Sequence, residues 1–186
     1  IAGGLPTADA VEVQVAVNLL NSLLGNDGKT IDYDGSPLQT RQGSTAELAK
    51  LIADMNSGAI KTLIIHNLNP VYVLPPDSGF LEAMRKVDLV IYTGNRNDET
   101  GKFAHYVLPA GTTLENWGDY ELESGVYSIQ QPTIRPLHDS RAFEESLLVW
   151  TKQAAGAPAR AKGAGDWHEY VRGIWRSEIY PKAKEG

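Results

Sequence analysis

The sequence predicts an α/β fold, a Rossmann-like, doubly wound and mostly parallel sheet with helices on both faces. Two apolar runs of strand length, 61–66 and 88–92, flank a segment over 80–87 in which apolar residues recur at helical spacing. This order indicates a βαβ unit, because parallel strands buried on both faces read as continuous apolar runs. The prediction adds an irregular β segment and a C-terminal helix after this unit.

Composition excludes several classes of function. Of the 186 residues, 42% are hydrophobic and 22% are charged, which is typical of a globular protein and argues against disorder. The net charge of −6 disfavours nonspecific nucleic-acid binding, which needs a basic face. The absence of cysteine excludes disulfides, thiolate chemistry and the usual ligands of iron–sulfur clusters. No apolar run is long enough to span a bilayer, and we expect the chain, which starts at Ile1, to be a processed piece of a longer protein.

The N-terminal part is predicted to contain a helix and a turn. After a loop over 1–8, apolar residues recur at helical spacing over 9–24, and Gly25 is placed to end this helix. The segment 25–30 carries Gly-Lys-Thr, but it follows a helix and lacks the first glycine of a phosphate loop, so a turn is favoured. The elements predicted next are a strand over 31–33, a loop over 34–43 and a helix over 44–56.

Two polar loops, 67–70 and 93–95, follow the predicted parallel strands. Because the carboxyl ends of parallel strands meet at one edge of a sheet, where ligands bind in open α/β folds, these loops predict a nucleotide-sized cleft. Asparagine side chains could read a base or a ribose there. In the alternative interpretation, Asn67 and Asn69 only cap turns.

The segment after the second loop is predicted to start a short helix that runs to Ala104. Asn97 or Asp98 would cap it, with Glu99 in its first turn. A helix start beside a strand end is also a possible anion site, but the two acidic side chains favour capping.

Residues 105–131 are predicted to be β-rich and irregular. Asp119, Glu121 and Glu123 alternate, so they would share one face of a strand, and a solvated face is favoured over a metal or acid–base set. The four histidines form no i,i+4 pair and are expected to be structural. No HExxH, Gly-x-Ser-x-Gly or strand-linked GxGxxG motif occurs. The sequence therefore predicts no catalytic and no metal-binding residues.

The C-terminal part is predicted as a helix over 140–153, an Ala/Gly/Pro linker over 154–165 and an aromatic helix over 166–180. The predicted organisation is one α/β domain over 1–153, the linker and this last helix. The aromatic stripe would pack either against the domain or against a neighbour.

An ordered series of motifs resembles the third domain of molybdopterin oxidoreductases. The resemblance covers roughly residues 13–150. Further segments, 117–121, 125–127 and 130–132, look like the molybdopterin-like, iron–sulfur-containing subunit of alternative complex III. The motifs are Leu20 to Lys29, Asn69-Pro70, Asp98-Glu99-Thr100, Ala104 to Ala110, Glu115 and Gly118.

The resemblance implies a set of cofactor contacts and two departures. Thr93-Gly94 stands where the family often has an acidic residue, and Gly101 replaces the usual alanine. Since a carboxylate accepts hydrogen bonds from guanine donors, its loss weakens the case for pterin dinucleotide binding. The predicted cofactor-binding residues are Asn67, Asn69, Pro70, Thr93, Gly94, Asn95, Glu99 and Thr100.

Three functions are open at this point. The favoured one is a scaffold or vestigial cofactor-binding domain in a respiratory, quinol-oxidising complex. The alternative is the guanosine-side binding domain of a molybdenum bis-pterin guanine dinucleotide oxidoreductase, and the third is a stand-alone nucleotide module.

The resemblance also implies cofactors, partners and a location. This chain itself is expected to bind no cofactor, with molybdopterin guanine dinucleotide as the alternative, and iron–sulfur clusters are expected only in other parts of the parent chain. Expected partners are other domains of that parent and electron-carrier and membrane subunits, without nucleic acid and without a direct membrane span. The implied location is the periplasmic side of the inner membrane, with this piece soluble on its own.

Overall fold

A computed structural model describes residues 9–32 and 43–183 of the chain. The chain divides into two compact units. Their described residues are 9–32 and 121–126 in the first unit, and 43–120 and 127–183 in the second.

Some predictions fall outside the described residues, namely the loop over 1–8, nearly all of the loop over 34–43 and Tyr33 of the strand over 31–33. The division into a domain over 1–153, a linker and a C-terminal helix stays a prediction.

The first unit contains the predicted N-terminal helix, α1 (Ala10–Leu23). The structure confirms the turn that follows it: Gly25 and Gly28 have φ of 67° and 72°, a left-handed conformation that glycine adopts without strain. The Asn26 carbonyl accepts hydrogen bonds from the backbone N–H groups of residues 29–31. Of the predicted short strand, Ile31 forms an isolated bridge with Asp27.

The sheet of the second unit confirms the predicted α/β class. His66 pairs with Thr93, so β1 and β2 end level with each other at one edge. The strand order β1-β2-β3 follows the chain, and the reversal that a doubly wound sheet contains does not occur among these three described strands. The parallel strands are β1 (Thr62–His66), β2 (Leu89–Gly94) and β3 (Tyr106–Pro109), and a separate antiparallel pair is β4 (Gly118–Glu123) with β5 (Val126–Gln130).

Helices of the second unit begin and end close to the predicted positions. α2 starts with a capping box, in which the Glu47 N–H donates to Ser44 Oγ at 3.2 Å and Glu47 Oε2 accepts from the Ser44 N–H at 2.7 Å. The helices are α2 (Thr45–Asn56), α3 (Pro70–Val73), α4 (Phe80–Met84), α5 (Phe143–Gln153), α6 (Ala159–Gly163) and α7 (Trp167–Ile174).

The core of the second unit lies between α2, α4 and one face of the sheet. Met55 and Met84 are completely buried, and Ile65 and Tyr92, which are paired across β1 and β2, point to the same side. The opposite face is more open, since Ile64 is 40% exposed. Near the carboxyl edge of the sheet, His66 at the end of β1 stacks on Phe143 of α5.

Two short segments differ from the predictions. In place of a short α-helix up to Ala104, the chain forms a 3-10 helix at Gly101–Phe103, and Asp98 does cap it through the N–H groups of Thr100 and Gly101. The Ala/Gly/Pro segment predicted as a linker contains α6, where Ala161 is buried. Small side chains let α6 pack closely, which composition alone cannot distinguish from a flexible linker.

The C-terminal helix α7 is part of the second unit and packs against α5 and the segment before β4. Its first residue, Trp167, donates its backbone N–H to Glu145 of α5 at 2.6 Å and its indole N–H to the Trp117 carbonyl at 3.0 Å. After α7 the chain continues as one π-helical turn, Trp175–Ile179, and a 3-10 turn, Tyr180–Lys182. Within the described part of the chain, no helix is long and apolar enough to cross a membrane.

Candidate functional site

The two predicted loops lie side by side at the carboxyl edge of the sheet. The Asn67 N–H donates to the Thr93 carbonyl at 2.9 Å, which extends the pairing of β1 and β2 by one residue. Asn67 then has φ of 49°, a left-handed conformation found at no other described residue except glycines, and one that asparagine tolerates better than most residues. The chain therefore leaves the sheet abruptly at Asn67.

Three of the predicted site residues are bonded to one another. Thr100, which is completely buried, donates its hydroxyl to Asn69 Oδ1 at 2.7 Å and accepts the Val71 N–H at 3.1 Å. Asn69 Nδ2 in turn donates to Glu99 Oε2 at 2.7 Å. This hydrogen bond from the Asn69 amide is the main reason that the pKa of Glu99 lies below its usual value. The loop after β1 and the segment after β2 are thus tied together by Asn69, Glu99 and Thr100, with Pro70 as the first residue of α3 beside them.

Asp98 holds the same segment in place through two sets of hydrogen bonds. Besides capping the 3-10 turn, its carboxylate accepts the Tyr92 hydroxyl at 2.6 Å. Burial of the ring, followed by this hydrogen bond and the nearby negative charge, raises the pKa of Tyr92 to about 12. Tyr92 is therefore a neutral, buried side chain that supports the loop through its hydrogen bond to Asp98.

At both departures from the family pattern, a side chain in place of glycine would meet a neighbouring side chain. A Cβ at Gly94 would lie 3.0 Å from the Tyr92 hydroxyl oxygen, and a Cβ at Gly101 would lie 2.7 Å from Asn97 Oδ1. The acidic residue and the alanine of the family pattern would therefore crowd the ring and the loop around Tyr92 in this chain.

A polar cleft of about 280 Å³ opens at this edge of the sheet, entirely within the second unit. Of the predicted site residues, Asn67 and Asn95 line it. The other lining residues are His66, Gly111, Thr112, Thr113, Asn116, Trp117, Tyr120, Gln130, Phe143 and Glu144.

One wall of the cleft is the loop over 111–117, which two side chains hold in place. Glu115 accepts the backbone N–H groups of Thr112 at 2.6 Å and Leu137 at 2.7 Å, and these two bonds, the Leu137 bond first, lower its pKa. Gln130 Nε2 donates to the carbonyls of Thr113 at 2.6 Å and Asn116 at 3.0 Å. The wall is therefore fixed both by a local bond between Glu115 and Thr112 and by contacts with Gln130 and Leu137, which lie outside the loop.

The floor of the cleft contains a histidine in a defined tautomer. His66 Nε2 lies 3.2 Å from Asn67 Nδ2, which can only donate, so Nε2 accepts and Nδ1 carries the proton. Nδ1 then donates to Thr93 Oγ1 at 2.6 Å. The imidazole also stacks on Phe143 of α5, with ring centroids 4.1 Å apart and planes 10° from parallel. These contacts agree with the structural role expected for His66.

Several polar side chains around the cleft form no hydrogen bond with the part of the chain that the structure describes. Among the described residues, no hydrogen bond or ion pair partner exists for the side chains of Asn95, Asn116 or Glu144. The predicted site residues therefore differ in their surroundings. Asn69, Glu99 and Thr100 are bonded to one another, whereas Asn95 lines the cleft with its side chain accessible to a ligand.

The remaining predicted residues lie elsewhere. Thr93 is 2% exposed and lines a second cavity of about 390 Å³ together with Pro109, Arg141 and Ser146. Gly94 is buried at the end of β2. The assignment of all eight residues to cofactor binding stays a prediction.

Sequence reasoning missed most of the cleft wall. Thr112, Asn116 and Glu144 were not selected, because no local pattern marks them. Glu115 and Gln130, which hold the wall, did belong to motifs that carried the family resemblance, and this was the available signal.

The alternating acidic residues do not form the solvated strand face that was predicted. Asp119 is partly buried and accepts the indole N–H of Trp175 at 3.0 Å, because the C-terminal segment packs against it. Glu121 accepts the Gly125 N–H at 2.9 Å in the turn of the hairpin. Within the described ranges, no three His, Cys, Asp or Glu side chains come together as a possible metal site.

Together, the fold and the cleft define an α/β domain with a small polar site at the carboxyl edge of a parallel sheet, the place where such folds bind ligands. No protein-family model matches the chain. The chain is similar to the molybdopterin-binding-like subunit of menaquinone reductase from Nitratidesulfovibrio vulgaris, with 31% identity over 105 residues. The match covers 54% of this chain but spans 15% of the relative's length. This similarity supports the resemblance to molybdopterin oxidoreductases that the motifs indicate.

Proposed function

We propose that this chain is a scaffold domain of a molybdopterin oxidoreductase-type subunit, with a vestigial cofactor cleft that does not hold a pterin dinucleotide. The observation that carries the proposal is the closed network of Asn69, Glu99 and Thr100. These residues match the family's motifs, yet their short hydrogen bonds join two loops of the protein. Their role is therefore to stabilise the fold.

The charge of the cleft supports the same conclusion. None of the described residues that line it is Lys or Arg, whereas Glu144 contributes a carboxylate. A pterin dinucleotide carries a diphosphate, and such groups are usually held by cations, by glycine-rich loops or at helix N-termini. The described lining side chains therefore supply no cation for these phosphates, and the first turn of α5, the helix N-terminus at the cleft, carries the Glu144 carboxylate, which opposes a phosphate there.

The proposed setting is a respiratory, quinol-oxidising complex. The relative is named as a subunit of a menaquinone reductase. By analogy, we propose electron-carrier and membrane subunits as partners, in an assembly of the alternative complex III type on the periplasmic side of the inner membrane. Iron–sulfur clusters would have to be ligated outside this chain, which has no cysteine.

The proposal is tested by titrating the chain with GMP and GDP while recording side-chain amide resonances. A scaffold predicts no saturable shift of Asn67 or Asn95 in the micromolar range. The side chain of Asn26, which is bonded to Asn21 in the first unit, is an internal reference for nonspecific effects. Saturable micromolar shifts confined to Asn67 and Asn95 would overturn the scaffold proposal.

A second candidate is genuine binding of the guanosine side of a molybdenum cofactor. It is favoured by the amides of Asn67 and Asn95 beside the cleft, because amide groups can pair with the edge of a base. Glu144 would then take over the acceptor role that Thr93-Gly94 does not supply. The same titration separates the two candidates, since this one predicts tight, saturable GMP binding.

A further inference from the structure

The cleft that lies over β1 and β2 has the character of a cation site. Its one carboxylate, Glu144, stands in the first turn of α5 and has no hydrogen bond or ion pair partner among the described residues. None of the described residues that line the cleft is Lys or Arg, so beside Glu144 only the N-terminal end of α5 contributes a partial positive charge. A partly buried carboxylate without a partner favours a ligand that brings a positive charge and N–H donors.

Aromatic rings line the same cavity and are held in fixed positions. Trp117 stacks on His168 of α7 with ring centroids 4.1 Å apart, and Phe143 stacks on His66 at the same distance. Tyr120 is more exposed, and its hydroxyl lies 3.4 Å from Gln130 Oε1, so the fixed rings are those of Trp117 and Phe143. Rings fixed in this way are pre-organised, and aromatic faces attract organic cations, the guanidinium group in particular.

Further acceptors surround the carboxylate. The side-chain amides of Asn95 and Asn116 have no hydrogen-bond partner within residues 9–32 and 43–183, and the hydroxyls of Thr112 and Thr113 add more acceptor oxygens. A guanidinium group presents five N–H donors in one plane, which match a carboxylate and amide oxygens spread around a small cavity. An ammonium group is compact and strongly hydrated, so it would form hydrogen bonds with fewer of these acceptor oxygens.

We propose that this cleft binds a guanidinium group, with Glu144 as its counter-ion and Trp117 and Phe143 as its aromatic walls. The cavity of about 280 Å³ has room for this group together with adjoining atoms of the ligand that carries it. The guanidinium can belong to a free small molecule or to an arginine side chain of a neighbouring polypeptide. This inference goes beyond the scaffold function and does not depend on it.

The test is calorimetric titration of the full chain with two probes, agmatine and N-acetylarginine amide. N-acetylcitrulline amide is the matched neutral ligand, because a urea group replaces the guanidinium with nearly the same shape. We expect saturable binding of at least one cationic probe and at least 10-fold weaker binding of the citrulline compound, since a charge-assisted hydrogen bond is lost.

Two variants locate the site. Glu144→Gln is expected to weaken binding of the cationic probe by about 10-fold or more. Glu82→Gln removes the same charge from an exposed position on α4 outside the cleft and is expected to change binding less than about twofold, because surface charges are screened. Unchanged circular dichroism of both variants shows that the fold is retained.

The outcomes are distinct. Binding of agmatine alone identifies a free small cation as the ligand, and binding of N-acetylarginine amide identifies a protein-borne arginine. The inference is overturned if neither probe saturates, if the citrulline compound binds equally well, or if Glu144→Gln binds like the unmodified chain. GMP binding tests the scaffold function separately, so the two failures cannot be confused.

Discussion

Replacing Thr100 by valine removes the centre of the network that closes the two loops. Valine has nearly the same shape, so the packing of this completely buried side chain is retained while the hydroxyl is lost. The Thr100→Val variant loses the bond to Asn69 and leaves the Val71 N–H without its partner. A neutral hydrogen bond contributes about 1 kcal/mol, and an unsatisfied donor costs about 1–3 kcal/mol, so the free energy of unfolding should fall by about 2–4 kcal/mol.

The assay is thermal unfolding of the full chain followed by circular dichroism. For a chain of this length the expected loss corresponds to a decrease in Tm of roughly 5–15 °C. Thr100→Ser is the control, because it keeps the hydroxyl and loses only a methyl group. We expect it to lower the free energy of unfolding by about 1 kcal/mol. The structural role of the network would be refuted if the free energy of unfolding of Thr100→Val lay within about 0.5 kcal/mol of the value for the unmodified chain. A difference that small is usual for a neutral surface substitution.

Three further predictions concern the core and two carboxylate contacts. Met84→Ala should cost about 2–5 kcal/mol in urea unfolding, whereas Met84→Leu should cost less than about 1.5 kcal/mol, because the site is completely buried. The pKa of Tyr92 is raised from 10.0 to about 12, so the contribution of Tyr92 to stability is complete below pH 10.0 and is lost as the pH rises through 12. Ultraviolet titration should show one tyrosine that ionises at higher pH than the others, and this step should be missing in Tyr92→Phe. The pKa of Glu115 is lowered from 4.5, so the contribution of Glu115 to stability is present above pH 4.5 and is lost as the pH falls below that value. The hydrogen-exchange protection of the Leu137 amide should decrease over the same pH range. The Glu115→Ala variant should show no such dependence of the Leu137 protection on pH.

The sheet and its edge could be predicted from the sequence because the information is local. Each buried parallel strand is a continuous apolar run, and the turn residues after it mark its end. The positions of β1 and β2 and the two loops beyond them followed from these runs.

The cleft wall could not be predicted in this way. Gln130 reaches the carbonyls of Thr113 and Asn116, and Glu144 enters from a helix that follows two further strands. Such contacts depend on the tertiary path of the chain, which has no periodic signature.

The roles of Asn67 and Asn69 were equally inaccessible. The two residues are of one type and two positions apart, yet Asn67 lines the cleft in a left-handed conformation and Asn69 is bonded to Glu99 and Thr100. Backbone conformation and partner position, not residue type, decide which of the two side chains lines the cleft and which joins the two loops.

The scaffold proposal is tested most directly by the molybdenum content of the parent protein. The protein should be purified at full length from its natural source and analysed by mass spectrometry for metal and for GMP released by acid. The proposal predicts molybdenum and GMP far below one equivalent per chain. About one equivalent of molybdenum together with about two of GMP, the composition of a bis-pterin guanine dinucleotide, would contradict it and would support the guanosine-side binding function instead.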